Sequence, residues 1–96
     1  MSNVFSILEA YNRDTLILIN TPGIKRLLRS GARVKFKSNL EEGKYYVNLH
    51  FMEGPMASVK GKICIVKSID FDKGYFTILE NVYNYSLEML EGVYLN

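Results

Sequence analysis

Strict alternation of charged and apolar residues in one short segment constrains the fold of this chain more than any other feature. From Arg33 to Lys37, the cationic residues Arg33, Lys35 and Lys37 alternate with Val34 and Phe36. Because successive side chains of a strand point to opposite faces, this pattern predicts a β-strand with an apolar face and a cationic face. Such a strand is stable only when neighbouring strands and a covering layer bury its apolar face.

Several other short segments have strand character, and turn residues separate them. We predict extended segments over Thr15–Ile19, Tyr45–Phe51, Lys62–Ile69, Tyr75–Leu79 and Gly92–Leu95. The third of these is apolar enough to be covered on both faces. Between the third and the fourth, Asp70–Gly74 predicts a hairpin turn, and Asn81–Asn84 predicts another. Short strands at this spacing predict a small β-barrel or roll, which suits a single domain of 96 residues.

Three helical segments are predicted as well. Ser2 is placed to cap a first helix, in which Val4, Phe5, Ile7, Leu8 and Tyr11 recur at helical spacing. The pair Thr21-Pro22 predicts the start of a second helix, with an apolar stripe of Ile24, Leu27 and Leu28 and an end at Gly31. Ser86 is placed to cap one short turn over Leu87–Leu90. The predicted fold class is therefore mainly β (α+β), with residues 1–30 forming a helix-strand-helix extension packed on the barrel of residues 31–96.

Composition excludes several classes of protein. A content of 48% hydrophobic and 23% charged residues argues against disorder. Cys64 is the only cysteine in the sequence, so an internal disulfide cannot form. No stretch has the length of a membrane span or the pattern of a signal peptide, so we expect a cytoplasmic protein that does not contact a membrane.

The residues that could carry chemistry do not form a recognisable catalytic or metal site. His50 is the only histidine, and with Glu53 it makes an isolated His-x-x-Glu where a metal needs three or four ligands. Cys64 lies in an apolar run, where a thiol acts as a small hydrophobic side chain. The segment Asp70–Gly74 begins like a calcium loop but lacks its later ligands. We therefore expect no enzyme activity, no cofactor and no metal.

Charge is distributed unevenly along the chain. Residues 1–67 contain 11 basic and 5 acidic residues, whereas residues 68–96 contain 1 basic and 5 acidic residues. The densest basic stretch runs from Lys25 to Lys44 and could meet phosphates or an acidic protein if its cations adjoin in space. The alternative is that these side chains only solvate an outer face. The candidate basic patch consists of Lys25, Arg26, Arg29, Arg33, Lys35 and Lys37.

Tyrosines provide a second candidate surface. Tyrosine offers a large contact area at a low entropy cost, and small barrels bind partners through aromatic residues in their loops. Tyr45, Tyr46 and Tyr83 are the candidates.

From Gly31 onward the chain resembles the small uncharacterised Src-homology-3-like barrel proteins encoded by phages and prophages of Gram-positive bacteria. The resemblance rests on the continuous run of residues 31–46, and then on Phe51, Met56, Gly61-Lys62, Gly74-Tyr75 and the run from Tyr85 to Leu90. It implies a five-stranded barrel, a short 3₁₀-like turn over Leu87–Leu90 and an origin in a phage or mobile element. It implies no known activity.

In the phage setting that the resemblance implies, we predict a non-enzymatic interaction protein that binds a host protein. By analogy of setting and size, we expect it to inhibit a host defence enzyme. The alternative is a nucleic-acid-binding module that uses the stretch Lys25–Lys44. The sequence leaves the oligomeric state open.

Overall fold

The computed structural model describes residues 15–95, and within them the protein is mainly β. The predicted first helix, over Val4–Tyr11, lies outside the described residues. Eight strands are present in the described part of the chain: β1 (Leu16–Leu18), β2 (Arg33–Phe36), β3 (Tyr45–Tyr46), β4 (Leu49–His50), β5 (Ile63–Asp70), β6 (Tyr75–Ile78), β7 (Asn84–Ser86) and β8 (Leu90–Tyr94). Short 3₁₀ segments, at Ile24–Arg26, Gly54–Val59 and Leu87–Met89, provide the helical content of residues 15–95.

Six of the strands form one antiparallel sheet in the order β1-β8-β2-β5-β6-β7, and β3 pairs with β4 in a separate two-stranded sheet. The larger sheet is not closed, since β1 and β7 are its two edges. The last strand, β8, lies between β1 and β2, so the end of the chain is held on both sides by earlier segments.

The predicted alternation of buried and partly exposed side chains along β2 is confirmed. Val34 and Phe36 are fully buried, while Arg33 and Lys35 are only partly covered on the other face. The buried face of β2 packs into one apolar cluster that takes residues from every strand pair of the large sheet and from the connections. Burying apolar surface in this way contributes roughly 25 cal/mol per Å².

Strand β5 corrects the prediction that Lys62–Ile69 is covered on both faces. Cys64 and Val66 are buried, but the side chain of Ile63 is 51% exposed and Ile65 is only half-buried. Apolar residues on the outer face made the segment look like a two-sided core strand. The turn after β5 is confirmed: the Asp70 carboxylate accepts the backbone N–H groups of Asp72 and Lys73, and Gly74 has a φ of +79°.

The predicted second helix is wrong, because the structure has only one 3₁₀ turn at Ile24–Arg26. Gly23 takes a φ of +81°, which lies in the left-handed region, so the backbone cannot be helical from Thr21 onward. After Gly23, the Leu27 and Leu28 amides donate to the carbonyls of Ile24 and Lys25, three residues back, so the segment forms 3₁₀ rather than α-helical turns. No Thr21 side-chain cap forms. The apolar stripe is still used, since Ile24 and Leu28 are buried in the core.

The segment Tyr45–Phe51 was predicted as one strand and is instead a tight hairpin. Tyr45 pairs with His50 and Tyr46 with Leu49, and the two-residue turn between them begins at Val47, whose φ is +60°. A two-residue turn reverses the chain only when its central residues leave the extended region, which the apolar pattern of this segment did not reveal.

The end of the chain follows the prediction in outline. A 3₁₀ turn at Leu87–Met89 replaces the predicted turn over Leu87–Leu90, and β8 begins at Leu90 rather than Gly92. The predicted Ser86 side-chain cap is wrong: its hydroxyl makes no capping hydrogen bond, and its Oγ is buried without a partner in the described part of the chain.

Candidate binding surfaces

The structure divides the six predicted basic-patch residues between different places. Arg26 and Arg29 line a cleft together with Tyr94, while Lys25 is exposed on the same 3₁₀ turn without lining that cleft. Arg33 adjoins the cleft without lining it, because its guanidinium carbon lies 4.9 Å from the centre of the ring of Tyr94, which does line the cleft. We call the group Arg26, Arg29, Arg33 and Tyr94 the arginine cleft.

Backbone hydrogen bonds hold the arginines of the cleft in place. The Arg26 amide donates to the Gly23 carbonyl at 3.0 Å, within a turn that buried Ile24 fastens to the core. Arg29 begins a tight turn that the Ala32 amide closes on the Arg29 carbonyl at 3.0 Å. Gly31 lies inside that turn with a φ of +91°, and its amide donates to the Val66 carbonyl of β5 at 2.8 Å. The two exposed arginines therefore project from rigid backbone.

The arginine cleft is a recess of about 210 Å³, and the described residues that line it carry positive charge and no carboxylate. Its remaining lining residues are Leu27, Ser30, Gly31, Ala32 and Leu95. Among residues 15–95, no acidic side chain forms a salt bridge with Arg26 or Arg29. The positive charge of these two side chains is thus not neutralised within the described structure.

Lys35 in β2 and Lys37, which follows that strand, are arranged differently from the arginines of the cleft. The Lys35 ammonium lies 3.2 Å from a carboxylate oxygen of Glu91, and both side chains are more than a third exposed, so this pair adds little stability. Lys37 lines a separate shallow depression with Asn20, Asn39 and Glu91. The acidic second part of the chain thus lies beside the basic first part, and Glu91 partly offsets the cations of β2.

Of the three candidate tyrosines, two are accessible and one is not. Placing Tyr46 on the surface was wrong: the side chain is 7% exposed, and its hydroxyl oxygen accepts the Glu41 amide at 2.8 Å. Tyr45 is 63% exposed and stacks on His50 with the ring centres 4.8 Å apart. Tyr83 is half-buried. Tyr85 is fully buried, so it belongs to the core.

Tyr45 and Tyr83 lie at the two ends of one apolar surface. His50 connects them, since it stacks on Tyr45 and also lines a depression with Met52, Val82 and Tyr83. Leu49, Met56 and Asn84 complete the lining of that depression. Met52 is 43% exposed and Val82 is 89% exposed. We call this group, together with Val47 at the tip of the same β3–β4 hairpin, the hairpin surface: it consists of Tyr45, Val47, His50, Met52, Val82 and Tyr83.

Val47, at the tip of the β3–β4 hairpin, is both strained and exposed. It is the one non-glycine residue among residues 15–95 with a positive φ, and its side chain is 61% exposed. A β-branched residue in the left-handed region costs on the order of 1–2 kcal/mol, and asparagine or glycine would occupy the turn with less strain. The exposed Val47 side chain recovers little of this cost by burial.

The other chemistry-bearing residues lie apart from one another. Cys64 is buried in β5, and burial raises the pKa of its thiol from 9.0 to about 11, with the Glu80 carboxylate adding to the increase and Lys62 opposing it. This agrees with the prediction of a core cysteine. His50 is exposed at the end of β4 on the hairpin surface. Within residues 15–95, no three His, Cys, Asp or Glu side chains are grouped so that they could hold a metal ion.

Sequence reasoning missed Tyr94, Val47, Met52 and Val82. Tyr94 gave no local signal, because its place beside Arg33 depends on the pairing of β8 with β2. For the hairpin a signal existed: Asn48 is a turn residue in the middle of an apolar run.

No helix in the described part of the chain is long and apolar enough to cross a membrane. The chain matches no protein-family model, no curated protein and no solved structure. The proposed function therefore rests on the residues and their geometry.

Proposed function

We propose that this protein is a non-enzymatic interaction protein of phage or prophage type, which binds a host protein through the hairpin surface in the cytoplasm of a bacterial host. The observation that carries the proposal is the strained Val47 at the tip of an exposed apolar hairpin. Backbone strain at an exposed position points to a function beyond folding, since a less strained residue would serve the fold better.

The composition of the hairpin surface favours a protein partner over a nucleic acid. His50 is the single titratable side chain among the residues that line its depression, apart from the phenol of Tyr83, and no lysine or arginine lines it. A nucleic-acid site needs cations to meet phosphates. Exposed tyrosine, methionine and valine side chains instead resemble the anchor residues of protein interfaces, which fill apolar pockets of a partner.

We propose further that residues 31–95 form a Src-homology-3-like barrel. The neighbour order β8-β2-β5-β6-β7 and the 3₁₀ turn before β8 support this proposal, as does the resemblance from Gly31 onward. In that arrangement β1 is an addition at the edge of β8, and the β3–β4 hairpin belongs to the long connection between β2 and β5.

The inhibitory role of the protein rests on its setting and size. The proposed mode of action is the occupation of a surface that the target needs, and host defence enzymes are the proposed targets. Fold alone does not specify such a role, so the partner has to be identified by experiment.

The first test is site-specific photocrosslinking from the hairpin surface. A benzophenone amino acid at Val82, which is 89% exposed, should give one discrete product in a nuclease-treated lysate of a Gram-positive bacterium. The same group at exposed Lys67 of β5 should not give that product. If the product is absent, or if both positions give it equally, the hairpin surface is not the binding site.

The second test is the substitution Val47→Asn. Relief of the left-handed strain should stabilise the fold by about 1 kcal/mol, whereas loss of the apolar tip should weaken competition for the crosslinked partner about tenfold. Urea unfolding measures the first effect and competition with unlabelled protein measures the second. Because the variant is more stable than the parent, misfolding cannot explain its weaker competition.

Ile63→Asn is the matched control, since Ile63 is also β-branched and exposed but lies outside the hairpin surface. It should compete as well as the parent. A Val47→Asn variant that competes as strongly as the parent would contradict the proposal.

A further inference from the structure

We propose that the arginine cleft is a second binding site, which takes the phosphodiester backbone of a single-stranded nucleic acid. The cleft shares no residue with the hairpin surface, so this inference does not depend on the proposed protein partner. It refines the basic stretch Lys25–Lys44 into a defined site, and it adds Tyr94, which lies far from that stretch in the sequence.

The exposed charges of the cleft favour an anionic ligand. Among residues 15–95, no carboxylate lines the recess that Arg26 and Arg29 face, and neither arginine forms a salt bridge. Guanidinium groups present paired N–H donors that match two oxygens of one phosphate. The backbone hydrogen bonds around Arg26, Gly31 and Ala32 fix the origin of both side chains, so less entropy is lost on binding.

The aromatic ring distinguishes a nucleic acid from a simple anion. Tyr94 lines the same recess as the two arginines, and its ring is held by the Arg33 guanidinium at 4.9 Å. Cations beside an aromatic ring are the combination that single-strand-binding proteins use for backbone and bases. A recess of about 210 Å³ is large enough for a phosphate and its sugar.

Strand β2 extends the cationic surface away from the cleft. Lys35 follows Arg33 on the partly exposed face of the strand, and Lys37 lies directly after the last residue of the strand, beyond a shift in the register of β2 with β8. The Lys35–Glu91 pair is exposed enough to exchange its carboxylate for a phosphate at little cost. A single-stranded nucleic acid that enters at the cleft would thus meet further cations along and directly after β2.

Fluorescence anisotropy with a labelled twelve-nucleotide oligothymidine tests the proposal. The double substitution Arg26→Ala/Arg29→Ala should weaken binding at least tenfold at 50 mM salt. Removing two single-strand phosphate contacts should also reduce the slope of log K against log salt by about 1.4, at about 0.7 per contact. Arg26→Lys/Arg29→Lys keeps the charge but loses the paired donors, so it should show a smaller loss.

The matched control is Lys25→Ala/Lys67→Ala, which removes the same charge from two exposed side chains that do not line the cleft. It should weaken binding less than threefold. Equal losses in both double variants would show a diffuse electrostatic attraction and overturn the site. Absence of oligothymidine binding by the parent would overturn it as well, and so would equal competition by polyglutamate, which would identify an acidic polypeptide as the occupant.

Discussion

At the scale of single residues, two polar side chains in the core are held in their neutral forms. The Tyr85 hydroxyl donates to the Met56 backbone carbonyl at 3.1 Å and accepts from the side-chain amide of Asn81 at 2.8 Å. Its ring packs edge-on against Phe36 with the ring centres 4.8 Å apart. Burial raises the pKa of Tyr85 from 10.0 to about 12, so the phenol remains protonated in the fold. Cys64 is the second such residue.

We expect the Cys64 thiol to make the protein less stable in alkali. Its folded pKa of about 11 is higher than its ordinary value of 9.0, so the folded state retains the proton longer than the unfolded state. The stability contributed by the neutral thiol is complete below pH 9 and is lost as pH rises towards 11. Urea unfolding from pH 8 to 11 should therefore show a steeper decline in the parent than in Cys64→Ala.

Tyr85 also makes stability depend on pH in this range. Its contribution to the stability of the fold is lost between pH 10 and about 12 in both proteins. Cys64→Ala should be less stable than the parent at pH 8, where the thiol is neutral and fills its place in the core. Parallel pH curves for the two proteins would show that Cys64 is already free to ionise in the fold.

At the scale of elements, the pairing of β1 with β8 depends on one glycine. Gly92 lies opposite Leu18 in the register of the two strands and is buried. A Cβ atom at Gly92 would lie 2.3 Å from the carbonyl oxygen of Ile17 and 3.0 Å from its carbonyl carbon. Because the obstacle is backbone, β1 would have to move away from β8.

We predict that Gly92→Ala displaces β1 and costs about 1–3 kcal/mol, the range typical of overpacking. Hydrogen exchange should become faster at the Ile19 amide, which donates to Glu91, and at the Leu95 amide, which donates to Thr15. Leu18→Ala is the control, since it removes an exposed side chain from the same strand and should cost less than about 0.5 kcal/mol. Unchanged exchange at both amides in Gly92→Ala would refute the close approach.

At the scale of the whole molecule, one apolar core joins both sheets. Buried Tyr46 and Phe51, from the β3–β4 region, belong to the same cluster as the inner residues of β2, β5, β6 and β8. The uneven charge of the sequence is partly offset in space at β2, because β8 lies beside β2 and brings Glu91 to Lys35.

A shared core predicts a single cooperative unfolding transition. Far-ultraviolet circular dichroism and tyrosine fluorescence should give the same midpoint in urea. Phe51→Ala removes a fully buried ring outside the six-stranded sheet and should lower that midpoint for both probes, at a cost of about 3–5 kcal/mol. If the β3–β4 region were an independent unit, the main transition would remain at the parent midpoint.

The sequence by itself determined the features that depend on neighbouring residues. Alternation from Arg33 to Lys37 specified β2 and its buried face, and the polar residues with Gly74 specified the turn after β5. The apolar run around Cys64 specified a core strand. These features were predictable because side-chain direction in a strand and the conformation of a tight turn are local properties.

Tertiary structure decided which local preferences prevailed and which residues became neighbours. Gly23 prevented the helix that the apolar stripe favoured from starting at Thr21, and Val47 turned a predicted strand into a hairpin at the cost of backbone strain. Both binding surfaces depend on contacts between distant segments, as when β8 carries Tyr94 to Arg33 or the β6–β7 connection carries Val82 to His50. The physical reason is that these contacts are stabilised by a common core, which no short stretch of sequence contains.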